Sequence, residues 1–91
     1  MSQEQLAVIK ALGDATRLAI LQQVWRASEM SCQDLSAHFD LAQPTMSHHI
    51  GKLVDANVLV IRKVGVAHFY SVNQPILKRL GINLPKLLAT A

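Results

Sequence analysis

The segment Asp34-Leu-Ser-Ala-His-Phe-Asp-Leu-Ala-Gln-Pro-Thr-Met-Ser-His-His-Ile-Gly-Lys-Leu-Val54 constrains the fold more than any other part of the chain. It reads as two short helices joined by a tight turn at Asp40-Leu41-Ala42. The second helix begins near Gln43-Pro44, where proline is tolerated because the first helical turn has no internal acceptor for the amide that proline lacks. At roughly 100° per residue, Met46, Ile50, Leu53, Val54 and Asn57 gather on one side of that helix. Pro44, Thr45, His48, Gly51, Lys52 and Asp55 gather on the other. The first set can bury itself; the second is polar, small and basic. This is the plan of a helix-turn-helix, in which the second helix offers hydrogen-bonding side chains to a duplex groove. A helix needed only for packing has the same periodicity, so the pattern alone leaves both readings open.

The flanking residues extend the plan. Leu6, Ile9 and Leu12, with Val8 and Ala11 beside them, predict an apolar stripe on a helix over about residues 3–12, stopped by Gly13. Asp14 is placed to cap a second helix whose inward positions are Leu18, Leu21, Val24 and Trp25. Ser31 and Asp34 have capping-box spacing, which predicts a helix from about Cys32 to Phe39. After the reading helix, β-branched and aromatic residues from Val58 to Val64 and from His68 to Val72 flank Gly65-Val66-Ala67 and predict a β-hairpin. A hairpin in that place is a wing. Arg62 and Lys63 approach its tip, where they are placed to meet phosphate, although basic residues on an edge strand also discourage aggregation.

Asn73 is placed to cap a helix over about residues 74–80, Gly81 breaks it, and Pro85 starts a short C-terminal one. Leu77, Leu80, Ile82, Leu84, Leu87 and Leu88 are too many apolar residues to be left in water, and are expected to pack on the first helix within or between subunits. The expected fold is mainly α (α+β), a winged helix-turn-helix in the order α-α-α-α-β-β-α, forming one domain over 1–91 without repeat or linker. Dimerisation is assigned to about residues 3–12 and 74–91, and DNA reading to about residues 32–72.

Composition narrows the function. A chain of 91 residues buries only about 60–65% of its unfolded surface, so its core is expected to be completed by a partner. With 51% hydrophobic and 16% charged residues, it is a packed protein and not a disordered tail. The net charge of +3 is unevenly placed. Through residue 45, Lys10, Arg17 and Arg26 stand against Glu4, Asp14, Glu29, Asp34 and Asp40, a balance of −2. Beyond it, Lys52, Arg62, Lys63, Lys78, Arg79 and Lys86 stand against Asp55 alone, a balance of +5. The basic half begins within the reading helix, which favours nucleic acid over a general acidic partner; a solvated basic face is the alternative.

Cys32 is the only cysteine, which excludes an intrachain disulfide and a cysteine-rich zinc site. Apolar runs such as Val58 to Ile61 are too short to span a bilayer, and no secretory layout opens the chain, so a soluble, reducing, cytoplasmic location is expected. No nucleophile and base stand at a recognisable spacing and no glycine-rich phosphate loop occurs, so neither an enzyme nor a cofactor is expected.

Three stretches resemble the ArsR/SmtB-type bacterial winged-helix repressors: Ala11 to Leu21, Leu41 to Ile50, and Gly65 to Tyr70. The middle one, Leu41-Ala-Gln-Pro-Thr-Met-Ser-His-His-Ile50, is similar to the family's recognition segment L-S-Q-P-T-V-S-H-H-L. The resemblance implies a homodimer joined through its first and last helices, binding an imperfect inverted repeat in double-stranded DNA and repressing transcription until an inducer releases it. It places Gln43, Thr45, Ser47 and His48 at the start of the recognition helix, with Arg62 and Lys63 on the wing strand; Lys52, on the outward face by periodicity, joins them as a candidate DNA contact. The chemistry agrees: Gln43 can pair with adenine, Thr45 can offer a hydroxyl or methyl to thymine, and Ser47 and His48 can donate to phosphates or base edges.

The chain departs from the family in three places. Ala42 replaces the serine whose hydroxyl caps the recognition helix, a loss of about 1 kcal/mol if nothing substitutes for it. Val66 and Ala67 stand at the wing tip where relatives commonly carry arginine or lysine. In metal-sensing relatives two cysteines flank one residue at the start of the third helix; here those positions are Ser31 and Gln33, with Cys32 between them. A lone thiolate is a poor chelator of ions that want three or four strong ligands. The family's other site, on the final helix, uses aspartate and histidine, and Gln74 to Ala91 holds neither, so no metal site is expected.

Cys32 in a first helical turn is a candidate thiol sensor, open to oxidation or alkylation; the alternative is a small buried residue without reactivity. The residues point to no particular small-molecule or redox inducer. His48 and His49 diverge by roughly 100° on a helix and do not chelate together easily, so His48 is read as a DNA contact and His49 as a bond to a neighbouring helix. His38 and His68 are isolated, and a site joining them across helices or subunits stays open. The alternative function is a protein-interaction or structural dimer module without specific DNA binding, motivated by the neutral wing tip and the apolar C-terminus.

Overall fold

In the computed structural model, which describes residues 1–89, helices α1 (Gln3–Leu12) and α2 (Ala15–Ala27) lead through a two-residue strand β1 (Met30–Ser31) into α3 (Cys32–Phe39) and α4 (Gln43–Asp55). The hairpin β2 (Leu59–Val64) and β3 (Ala67–Val72) follows, then α5 (Gln74–Arg79) and α6 (Leu84–Leu88). The winged helix-turn-helix is present, with the short C-terminal helix expected at Pro85 as α6 and one element not expected, β1. Residues 90–91, the end of the expected dimerisation segment 74–91, lie outside the described residues.

Each helix start has a local cause. Asp14 accepts from the Arg17 amide at 3.0 Å and starts α2; that hydrogen bond holds its carboxyl below the usual carboxylate range. Ser31 and Asp34 form the reciprocal box that starts α3. Ser2 and Gln5 form a second box at α1, and Gln5 Nε2 also donates to the Leu80 carbonyl at 2.9 Å, tying α1 to the end of α5. Asn73 precedes α5 without the expected side-chain cap; Pro75 in the first turn sets that helix instead.

Three helices end in the same way. The amide just beyond the helix end reaches back five residues to a carbonyl of the last turn, while the residue before it turns left-handed. At α4 the Asn57 amide donates to Val54 O and the Val58 amide to Leu53 O, both at 2.9 Å, with Asn57 at φ 63°. Asp40, at φ 52°, does this for α3 and makes the turn into α4, and Gly81, at φ 78°, does it for α5. Asn57 is therefore not on the apolar face of α4: it is exposed, beyond the helix, because an amide side chain tolerates the left-handed turn.

The sheet order is β1-β3-β2, antiparallel throughout. Met30 pairs with Tyr70 and Ser31 with Phe69, so β1 completes a sheet whose hairpin pairs Leu59 with Val72 and Val64 with Ala67. Gly65 and Val66 form the two-residue tip, and Gly65 takes the positive φ, 58°, that such a turn requires at its first position.

The core is where the helices meet one face of this sheet. Ile20, Leu21, Val24, Leu35, Met46, Ile50, Leu53, Val58 and Leu59 are buried, each contributing about 1.5–3 kcal/mol of apolar burial. Met46, Ile50 and Leu53 confirm the packing face of α4. On α2, Leu21 and Val24 point inward as expected, but Ile20 joins them while Leu18 and Trp25 are only partly buried. On α1 the expected stripe is turned: Val8 and Ala11 are inside, whereas Leu6 and Ile9 are 43% and 51% exposed. Leu77, Leu84 and Leu88 are buried within the chain, and Arg79 pairs with Glu4 at 2.7 Å. The C-terminal leucines thus pack against the first helices of their own chain, leaving Leu87 partly outside.

Candidate nucleic-acid interface

Helix α4 begins on Ala42 in extended conformation, with Pro44 in its first turn and no side-chain cap. The missing serine is not replaced. Gln43, Thr45, Ser47, His48 and Lys52 are all exposed: Thr45, His48 and Lys52 on the side of α4 opposite Met46, Ile50 and Leu53, and Gln43 and Ser47 on the flank that faces the wing. Gln43, Thr45, His48 and Lys52 make no side-chain hydrogen bond or ion pair among the described residues, so their donors and acceptors are available to a ligand. Ser47 sits lower on the flank, its Oγ 3.6 Å from Cys32 Sγ.

The wing stands beside this face. Pairing places Lys63 opposite His68 and Arg62 opposite Phe69, so the two basic residues lie on different faces of the hairpin. Lys63 is exposed without an ion pair among the described residues. Arg62 crosses the central strand: its guanidinium lies 4.9 Å from the Phe69 ring centroid, and Nε and Nη2 donate to the two Glu29 oxygens at 3.0 and 2.7 Å. The pair raises the Arg62 guanidinium further and holds the Glu29 carboxyl below its ordinary range. Glu29 and Arg62 are 33 residues apart, so the sequence carried no local signal of it.

A cavity of about 330 Å³ separates the wing from the helix-turn-helix, lined among others by Cys32, Gln33, Gln43, Ser47, His68 and Tyr70. Cys32 is partly buried, and burial pushes the Tyr70 phenol up. His68 lines this cavity, and His38, which is not among its lining residues, packs edge-on against Phe39 at 4.9 Å. His49 does not bond a neighbouring helix through Nδ1, which is buried without a hydrogen-bond partner. Among the described residues no three histidine, cysteine, aspartate or glutamate side chains come together, and Ser31, at one of the family's ligand positions, is used as the cap of α3.

A family model described as a helix-turn-helix domain matches residues 12–62. The arsenical resistance operon repressor of Staphylococcus aureus is 40% identical over 85 residues, covering 92% of this chain and 81% of that one. The chain belongs to the ArsR family of winged helix-turn-helix repressors. It is also 34% identical to the transcriptional repressor SdpR of Bacillus subtilis, with 78% of each chain covered. The fold is shared with the homodimeric winged helix-turn-helix DNA-binding domain Mb0332 of Mycobacterium bovis, with a TM-score of 0.75, 22% identity, and 85% and 70% of the two chains covered. As an ArsR-family member the protein is a DNA-binding transcriptional regulator and not an enzyme. No helix of the described residues is long and apolar enough to cross a membrane.

Proposed function

We propose that the protein is a cytoplasmic homodimeric repressor that binds an inverted-repeat operator, with Gln43, Thr45, Ser47 and His48 reading bases and Lys52 and Lys63 meeting phosphates. The observation that carries this is the unpartnered polar face of α4 beside the wing. Gln43 and Thr45 stand in the first turn, where a helix entering the major groove puts its side chains against base edges. Arg62 serves from the wing as well: it holds β2 through Glu29, and meets phosphate only by exchanging that partner.

Leu6 and Ile9 of α1, with Leu87 of α6, form the apolar surface that a second copy would cover. The homodimeric state of the Mb0332 domain supports this reading. The dimer would present two copies of α4 to major grooves about one helical turn apart. Serine and glutamine at positions 31 and 33 argue against metal induction at the start of α3, and Cys32 is the point where a thiol reaction would reach α4.

Footprinting on the protein's own promoter region, with the mass in solution measured by sedimentation, tests the proposal. Two protected half-sites about 10 base pairs apart, bound by a dimer, are expected. A monomer, or protection no better than on random DNA, contradicts it.

A further inference from the structure

A second cavity, of about 340 Å³, lies where α1, the first turn of α2 and the last turns of α4 meet. Its lining includes Lys10, Arg17 and Lys52, one cation from each helix, with Asp55 as its carboxylate. Arg17 is fixed: Nε donates to the Ala11 carbonyl at 2.6 Å and Nη1 lies 3.8 Å from Asp14, with 14% of the side chain exposed. Lys10 and Lys52 are exposed and make no ion pair among the described residues, Asp55 included. Asp14 answers Arg17 and Asp55 is the lining's own carboxylate, so the hollow keeps a net positive charge, with Lys10 and Lys52 available to an anion.

The place of this hollow along α4 says which anion. Thr45, His48 and Lys52 follow one another on one side of the helix. Lys52 stands seven residues beyond Thr45, about 10 Å along the axis, against a major groove about 12 Å wide. With Thr45 at the base edges, Lys52 reaches the rim of the groove, where the phosphodiester backbone runs. Lys10 faces the same rim from α1. On α1, Lys10 follows Leu6 by one turn and stands at the edge of the Leu6 and Ile9 surface towards Ala7, where its side chain lines the hollow beside the surface assigned to a partner subunit.

We infer that Lys10, Arg17 and Lys52 form a phosphate clamp that grips the DNA backbone beside the reading helix, making α1 a DNA-contacting element as well as a subunit surface. This rests on the DNA-reading role proposed above. Lys10 and Lys52 supply mobile ammonium groups, Arg17 a fixed positive wall, and Asp55 weakens the clamp by repelling the phosphate.

Affinity for a promoter duplex, measured by fluorescence anisotropy over a range of KCl concentrations, tests it. Each phosphate contact contributes about 0.9 to the slope of log affinity against log salt, so Lys10→Ala should flatten the slope by about 0.9 per protomer. For a dimer, which loses two such contacts, binding at about 0.1 M salt should weaken roughly 60-fold, equally on promoter and random DNA. Thermal stability should not change, Lys10→Arg should restore the slope, and Asp55→Asn should tighten binding. A Lys10→Ala slope equal to the parent's, or weaker binding with the slope unchanged, overturns the clamp. A parent protein that does not bind DNA at all overturns the functional reading beneath it.

Discussion

The sulfur of Cys32, at the start of α3, lies 3.6 Å from the hydroxyl of Ser47 on the recognition helix. The first turn of α3 therefore touches α4, the helix proposed to read DNA, at a cysteine flanked by Ser31 and Gln33.

Alkylating Cys32 follows from that contact. N-ethylmaleimide attached to the sulfur must occupy the cavity between α4 and the wing, against Gln43 and Ser47. Losing one such base contact costs about 1–3 kcal/mol, so promoter affinity should fall roughly 5- to 150-fold. Cys32→Ser should bind like the parent and be indifferent to the reagent. Full affinity after complete modification would separate Cys32 from DNA reading.

The Glu29 and Arg62 pair predicts a pH dependence. Because the folded carboxyl of Glu29 titrates below its ordinary range, its stabilisation is present above that range and is lost as pH falls through the lowered value. Parent and Glu29→Gln proteins should differ in melting temperature at neutral pH and converge as the solution is acidified below the ordinary glutamate range. A difference that stays constant with pH would show that the carboxylate charge is not what holds the wing.

Ala42→Ser should supply the cap that α4 lacks. The backbone there is already extended, at φ −61° and ψ 146°, so a hydroxyl needs no rearrangement to reach the first-turn amides. A stabilisation of about 0.5–1 kcal/mol is expected, raising the melting temperature by about 2–8 °C in calorimetry.

Asn57 should tolerate glycine and resist valine. At φ 63° a β-branched residue costs about 1–2 kcal/mol or more, and the loss should appear in urea unfolding as a lower midpoint with an unchanged m-value. Asn57→Gly should stay within a few tenths of a kcal/mol of the parent.

The packing side of α4 was legible because Met46, Ile50 and Leu53 have a single apolar face to bury. Helix α1 misleads a periodicity argument because it has two apolar faces, and only the assembled core decides that Val8 and Ala11 go inside while Leu6 and Ile9 stay out. Strand β1 is two residues long, too short for alternation to register, and exists because β3 offers it partners at Phe69 and Tyr70. The polar face of α4 was readable residue by residue. The Arg62 link to Glu29 and the meeting of Lys10 with Lys52 were not, since both join distant segments whose proximity only the fold creates.

The most direct test of the account is the ratio of promoter to random-DNA affinity for the double variant Gln43→Ala, His48→Ala, measured across a salt series. If α4 reads bases through these residues while lysines hold the phosphates, the ratio should collapse by about 2–6 kcal/mol, and the salt slope on random DNA should stay as in the parent. An unchanged ratio, or equal losses on both DNAs, would contradict it.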